Sequence, residues 1–432
     1  MIAAEPATRA GQAVAALDAW LETMRAPGGY GGPVAHWWQQ SLLYTGAGRD
    51  WRYEGIVAGY LALWERTGDE QWLAKARRAG DDLVASQLPG GNYAASAFEI
   101  NPATAGTPHE AACDIALLLL AFALRRAGRR GWEGYAEAAR RNIEQFYVAR
   151  LWDAEARSFR DSPERPSFVP NKAATLCEAL FLLAELGGES VWVERYALPT
   201  LDRVLAHQVH GGRLDGAIAQ NSIGPQVVTK YFPIYIARCV PALLRAFTQT
   251  AQARFLDAAM AAMRFVLALA DDHGALPTAV YPDGRAARWP SWIAPLGDVL
   301  RAATALRPYG LVADVAPIEA RLIAGQLPSG GIRTAEGFAR QAGGLTPLPD
   351  FRDLLPVAGW CDKAFRYLAG QAGEVPGARP AMYEADCTFG GRRLRFYETP
   401  ELIEARAGRE VRYRWRKGAA RPEIAREEFW LR

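Results

Sequence analysis

The stretch LVASQLPGGNY, Leu83 to Tyr93, decides the fold of this chain. The run that enters it is amphipathic: Trp72, Ala76, Ala79 and Leu83 recur at helical spacing, while Lys75, Arg77, Arg78 and Asp82 fall between them. Such a helix buries one face and wets the other. Gly90-Gly91 then stops it. Two echoes lie downstream, LAHQVHGGRL around Gln208 and LIAGQLPSGGI around Gln326, at successive intervals of 121 and 118 residues. Halving that interval predicts further copies, and Pro27-Gly28-Gly29, Trp152-Asp153 and His273-Gly274 stand where they are expected, the second in degenerate form. A turn repeated about every 60 residues marks a repeated supersecondary unit. Gly90-Gly91 is therefore read as an outer-helix stop, with a phosphate-cradling loop as the weaker alternative.

Working outward, helical periodicity recurs over roughly 8–25, 50–67, 69–88, 107–128, 130–151, 168–187, 189–209, 226–248, 250–271, 288–307, 313–327 and 352–370. The odd-numbered segments are amphipathic. The even ones are apolar nearly all round, as in CDIALLLLAFAL from Cys113 and LCEALFLLAEL from Leu176, and such helices are buried. Several even segments carry proline near their start (Pro108, Pro170, Pro290, Pro356), where its missing N–H costs nothing. Pro233 and Pro241 are expected to kink the eighth. Short connections such as Thr67-Gly68-Asp69 follow inner helices, and long polar, aromatic loops follow outer ones. The fold expected is mainly α: an (α/α)6 toroid of six helical hairpins over residues 1–373, with all long loops on one face.

With its inner–outer contrast and phrases such as LWERTGDEQWLAKARRAGDDLVASQ, the chain resembles the six-hairpin glycosidase-like proteins and the related terpenoid-cyclase and prenyltransferase toroids. The resemblance covers residues 1 to about 373 and is specific for architecture. Residues 374–432 follow another pattern. Leu394 and Phe396 alternate with polar neighbours, and Val411, Tyr413 and Trp415 alternate with Arg412, Arg414 and Arg416. Period two predicts strands, hence a small β appendage packed on the toroid. Its arginine face reads as a solvated edge or as a groove for an anionic ligand.

The 432 residues are 50% hydrophobic and 22% charged, with a net charge of +3. That suits a chain with a large core and gives no global electrostatic case for nucleic acid. The longest apolar run, Ile115–Leu124, is too short to span a bilayer. The N-terminus lacks a basic start followed by an apolar stretch, so no signal peptide is expected. Cys113, Cys177, Cys239, Cys361 and Cys387 are scattered without ligand spacing. They read as buried free thiols in a reducing cytoplasm, and no metal or cofactor is expected. Oligomeric state is not legible.

In a toroid of this kind the N-termini of the inner helices point into the cavity, and their positive partial charge favours anionic or hydroxylated ligands. The side chains that start those helices are the candidates. AHWWQQSLLYTGAGRDWRYEG supplies His36, Trp37, Trp38, Arg52 and Glu54. GTPHEAACD supplies His109 and Asp114, with Thr107 and Glu110 spaced as a capping box. VPNKAATLCEAL supplies Asn171, Lys172 and Glu178. Lys230, Tyr231, Trp289, Trp292 and Asp298 follow, then Asp350, Asp353, Trp360 and Asp362. Tryptophans stack on sugar rings, and two carboxylates about 5–10 Å apart suffice for glycoside hydrolysis. Glu54, Asp114, Glu178, Asp298 and Asp353 are the catalytic candidates. His36, Trp37, Trp38, Arg52, His109, Asn171, Lys172, Lys230, Tyr231, Trp289, Trp292 and Trp360 are the substrate-binding ones.

These residues point to a carbohydrate-active enzyme, foremost a glycoside hydrolase, on an intracellular oligosaccharide or polysaccharide precursor. A uronate lyase or sugar epimerase is the nearest alternative and would need a base such as His109, Lys230 or Tyr231. The epimerase-like toroids use histidines on several inner helices, and only His109 stands at such a place here. A non-catalytic binding or assembly toroid with a filled cavity is the second alternative. A terpenoid-cyclase-like enzyme is the third: the QLPxGG turns fit it, but no DxDD cluster is present.

Overall fold

The computed structural model describes residues 6–35, 43–45, 47–94, 109–341, 347–419 and 421–429. The outer helices are α1 (Pro6–Thr23), α3 (Glu70–Ala85), α5 (Trp132–Asn142), α7 (Leu198–Leu205), α9 (Ala253–Ala268) and α11 (Ala316–Ala324). The inner ones are α2 (Arg52–Thr67), α4 (His109–Arg126), α6 (Pro170–Gly187), α8 (Pro233–Thr250), α10 (Leu296–Leu306) and α13 (Ala358–Gln371). A short α12, Phe338–Gln341, lies in the last long loop. The inner helices pack side by side in the cycle α2–α4–α6–α8–α10–α13, and α13 closes on α2. Each has an outer helix behind it, α1 standing behind α13. This is the (α/α)6 toroid. Two outer segments, Ile143–Leu151 and Trp192–Ala197, widen into π-type turns.

The repeated glutamine joins one outer helix to the next. Gln87 Nε2 donates to the Gly91 carbonyl in its own turn and to Ala138 of α5, both at 2.7 Å. Gln208 does the same to Gly216 (3.1 Å) and Ala258 of α9 (2.9 Å). Gln326 reaches Gly330 (2.9 Å) and Ala13 of α1 (2.8 Å), which closes the outer ring. The glycine in each clamp has positive φ (88°, 86° and 96° at Gly91, Gly216 and Gly330). A Cβ there would strike the carbonyl of Arg141, Ala261 or Ala16, three residues after the clamped carbonyl. The repeated geometry requires glycine for both conformation and close approach. In the middle copy that glycine is Gly216, not Gly211-Gly212, because four extra residues are inserted in the turn.

Three inner helices start later than periodicity implies. Asn221–Ile223 and Gln226–Val228 form a hairpin, so α8 begins only at Pro233. Ser291–Trp292 pairs with Ala335–Glu336, so α10 begins at Leu296. Phe351–Leu354 is a 3-10 turn before α13. Pro233 occupies the first turn and starts α8 rather than kinking it, whereas Pro241 lies inside it.

The C-terminal chain forms a five-stranded antiparallel sheet in sequence order: Tyr383–Phe389, Arg392–Glu398, Leu402–Ala407, Glu410–Arg416 and Ile424–Ala425. Its apolar face packs on Phe351, which meets Phe389, Phe396, Tyr413 and Phe429 with ring centroids 5.3–5.8 Å away. Trp20 of α1 donates its indole N–H to buried Glu398 at 2.8 Å. On the other face the arginines form cross-strand ion pairs, among them Arg395–Glu384 (2.8 Å), Arg393–Asp386 (3.0 Å) and Arg416–Glu423 (2.7 Å). All five cysteines are buried and free. Among the described residues no helix is long and apolar enough to cross a membrane.

Candidate functional site

The toroid axis is occupied by charge. Glu54 lies in the first turn of α2, Glu178 in the middle of α6 and Asp298 in the first turn of α10. All three are buried. Arginines from three other inner-helix positions converge on them. Arg238 of α8 donates to Glu54 (2.6 Å) and Glu178 (3.0 Å). Arg301 of α10 donates to the same two at 3.3 and 3.1 Å. Arg366 of α13 binds Glu54 and Asp298, the latter also through Nε at 3.2 Å. Helical side chains lean toward the N-terminus, so Arg366 reaches back from the middle of α13 to carboxylates in the first turns of its neighbours.

Glu54 and Glu178 take separate arms of the Arg238 guanidinium. Two such hydrogen bonds plus the width of one guanidinium leave the carboxylates within about 8 Å, inside the range glycosidases use. Their protonation is set by competing terms. Burial pushes Glu54 up, but Arg238, Arg366 and Arg301 outweigh it and bring it down to about 2. Glu178 and Asp298 are likewise raised by burial and carried below the ordinary range by their arginines. All three are carboxylates at neutral pH.

Asp362 is the contrast. It lies in the first half of α13 against Gly55 of α2, with no exposed surface. Burial lifts it to about 7 against the pull of Lys363 and Arg366. Lys363 Nζ donates to both its oxygens at 3.0 and 2.8 Å, and burial lowers Lys363 in turn. The pair is poised to hold or release a proton near neutrality, beside three carboxylates that stay ionised. Separated pKa values of this kind are how an acid and a base are told apart.

Three tryptophans stand at the same end of the inner ring. Trp51 precedes α2, Trp292 precedes α10 and Trp360 opens α13. Trp360 packs between the other two, with ring centroids 5.7 Å from Trp51 and 5.3 Å from Trp292. Lys363 Nζ lies 5.8 Å from the Trp51 ring and 6.0 Å from that of Trp360. The result is an aromatic wall beside the Asp362–Lys363 pair, with Trp360 and Trp292 buried and Trp51 half-buried.

The other candidates go elsewhere. Asp114 turns to the outer ring, accepting from Tyr93 Oη (2.8 Å) and Asn142 Nδ2 (2.9 Å), and burial raises it well above the usual range despite those bonds. Asp353 caps the 3-10 turn before α13 and accepts the Phe338 N–H (3.0 Å) and the Asp350 N–H (2.9 Å). Burial lifts it to about 6. Neither joins the axial cluster, because each is consumed by a structural hydrogen-bond set. Arg52 is paired with Asp50 (2.7 Å) and donates to the Tyr30 carbonyl (2.8 Å). Lys172 pairs with Asp161 at 3.0 Å. Asn171 lines a narrow cleft with Gln220, Phe232 and Tyr235. Lys230 lies over Phe232 and Tyr281 at 5.1 and 5.5 Å. Tyr231 is buried and bridges to Val280 through its backbone. Trp289 is stacked by Arg340 at 4.4 Å. His36, Trp37, Trp38, the Thr107–Glu110 capping box and the His109 side chain lie outside the described residues.

Sequence reasoning did not single out Arg238, Arg301, Arg366, Lys363 or Trp51. A signal was present: IARCV, VLRAA and AFRYL each place an arginine within an apolar inner helix. A buried guanidinium demands a carboxylate, the same argument that singled out Glu178. Among the described residues no group of acids, histidines and cysteines is arranged to hold a metal ion.

No known sequence family and no curated protein matches the chain. Solved structures do. Unsaturated glucuronyl hydrolase from Bacillus sp. GL1 aligns over 84% of this chain and 95% of its own, with a TM-score of 0.58 and 14% identity. The fold is that of the six-hairpin glycosidase-like toroids. An α-1,6-mannanase of Salegentibacter sp. HEL1_6, solved as an inactive variant with α-1,6-mannotetrose, aligns over 84% of this chain and 98% of its own (TM-score 0.55, 12% identity). A D-mannose isomerase aligns over 83% and 96% (TM-score 0.59, 13% identity). At these identities the likeness is one of fold.

Proposed function

We propose that this chain is a carbohydrate-active enzyme with glycoside-hydrolase-like chemistry, taking its sugar at the end of the inner ring where Trp51, Trp360 and Trp292 stand. The observation that carries the reading is the split in protonation beside that wall: Asp362 near 7, Glu54 near 2, and Asp298 below the ordinary range. In this reading Asp362 delivers the proton to the leaving oxygen and Lys363 holds it in place. Asp298 or Glu54 supplies the negative charge opposite an oxocarbenium-like transition state. Of the three rings Trp51 keeps exposed surface for sugar C–H groups, and the buried Trp360 and Trp292 pack behind it. The fold neighbours that act on unsaturated glucuronides and α-1,6-mannans support the class. The five buried free cysteines suit a reducing compartment, hence an intracellular oligosaccharide or polysaccharide precursor.

The test is turnover by the full chain on unsaturated uronides, α-mannosides and free mannose, the last to detect isomerisation. Hydrolysis of one glycoside class, lost about 10²–10⁴-fold in Asp362→Asn, is the expected result. A second reading, a non-catalytic toroid, is favoured by one specific observation: Glu54, Glu178, Asp298 and Asp362 are each engaged by a cation and buried. Sugar binding without turnover on any of these substrates would select it.

A further inference from the structure

We propose that the toroid carries a second binding site, an axial vestibule on the short-connection face, opposite the tryptophan wall, that takes a small oxyanion. It is independent of the function proposed above. α2 has α13 and α4 on its flanks and α3 behind it, and α10 has α8 and α13 on its flanks and α11 and α9 behind. The only side left open on such a helix is the one toward the axis. Glu54 marks that side on α2, and Arg301 marks it on α10, because they meet across the axis at 3.3 Å.

One and two turns further along the same face of α2 come Ala58 and Ala62, and both keep part of their surface exposed. On α10 the equivalent positions are Thr304 and Ala305, also partly exposed. Arg366 of α13 is followed one turn later by Gly370. On α2, α10 and α13 small residues thus replace the charged layer toward the C-terminus, and their partial exposure, shared by Leu119 and Phe122 of α4, marks a solvent-reached funnel. Small side chains on all three helices cannot meet across an axis that long arginines fill one turn earlier.

The floor of the funnel is cationic and has spare donors. Arg301 keeps 32% of its side chain exposed although the carboxylates it binds are 2% and 3% exposed. Two of its nitrogens serve Glu54 and Glu178, and the exposed part of the fork keeps donor capacity beyond those two bonds. Arg245, 29% exposed, meets Glu178 and Glu185 only at 3.9 and 3.6 Å, beyond hydrogen-bond length. Among the described residues its side chain donates no hydrogen bond. Two adjacent guanidinium groups with open donors in a recessed, partly desolvated site match a carboxylate or phosphate, which accept in forked geometry.

The test uses the full chain, with thermal-shift and calorimetric titrations of sodium phosphate and sodium acetate against sodium chloride at matched ionic strength. Saturable binding of at least one oxyanion, absent for chloride, is expected; which one binds separates phosphate from carboxylate sources. Arg245→Met removes the open donors, and Ala62→Leu narrows the funnel without touching charge. Each should weaken binding by at least about tenfold while circular dichroism stays native. No oxyanion effect beyond chloride would overturn the proposal. So would wild-type affinity in Ala62→Leu, which would place the anion outside the funnel.

Discussion

Replacing Arg366 with methionine removes the guanidinium that, alone among the described residues, forms ion pairs with both Glu54 and Asp298. The two carboxylates are left in different positions. Glu54 retains Arg238 and Arg301. Asp298 has Arg366 as its only salt-bridge partner among the described residues and keeps the more remote attraction of Lys363 and Arg238. Breaking a buried pair by removing one partner costs about 3–5 kcal/mol, because the remaining charge is stranded. With about 2.1 cal/mol/K of unfolding entropy per residue, a chain of this length loses about 1 °C of Tm per kcal/mol, so a fall of about 3–6 °C is expected. The sign of the pH dependence discriminates this cause from lost packing. In the wild type, Glu54 and Asp298 titrate below their unfolded values. Their contribution is complete above the unfolded pKa and is lost as pH falls through the folded one. In the variant, burial of Asp298 is no longer offset, so its folded pKa rises above the unfolded value. Its penalty is then full at pH 8 and shrinks as pH falls toward 5. The assay is calorimetry or fluorimetry at pH 5 and pH 8. The gap between wild type and Arg366→Met should narrow at pH 5, and Asp298→Asn in the Arg366→Met background should recover most of it at pH 8. A gap under about 1 °C, or one equal at both pH values, would refute the reasoning.

Gln326→Met breaks the clamp between α11 and α1, leaving the Gly330 carbonyl without its Gln326 donor while the Ala13 carbonyl keeps its place in the α1 ladder; a loss of about 1–3 kcal/mol is expected by urea denaturation, with amide exchange faster in α1 than in α5. Gly330→Ala should destabilise by at least as much, since φ is 96° and the Ala16 carbonyl occupies the Cβ position, whereas Gly370→Ala, with nothing near an added Cβ, should change Tm by less than about 1 °C. Wild-type stability should drop as pH falls from about 4.5 toward 2, the window between the unfolded pKa of Glu54 and its folded value near 2, read as a falling urea midpoint; a flat midpoint across that window would refute the ionised cluster. Asp114→Asn should leave any glycosidase activity within about twofold, because Asp114 faces Tyr93 and Asn142 and not the axis.

The sequence by itself determined the toroid. Local rules suffice for it: a 3.6-residue apolar period distinguishes wet outer helices from buried inner ones, and a glutamine and glycine recurring with each clamp announce the repeat. Gln87, Gln208 and Gln326 are legible because each acts on its own turn and on the neighbouring outer helix, so the same residue type recurs at the end of alternate outer helices. Residue choice at the axis was legible only in part. Glu54, Glu178 and Asp298 stand out as charges inside apolar helices, and so do Arg238, Arg301 and Arg366 once the same test is applied. Which of them meet could not be read. Asp114 and Glu178 look alike in sequence, each a carboxylate within an apolar inner helix, yet one turns outward to Tyr93 and the other inward to Arg238 and Arg301. That choice depends on the rotation of each helix about its own axis, fixed by partners on other helices and turns, 21 and 28 residues away for Asp114 and 60 and 123 for Glu178. The protonation of Asp362 is likewise tertiary, because burial and the nearness of Lys363, Arg366 and Asp298 decide it. Periodicity records which face of a helix is apolar; only the closed ring brings six such faces to one axis and sets which charges must neutralise one another.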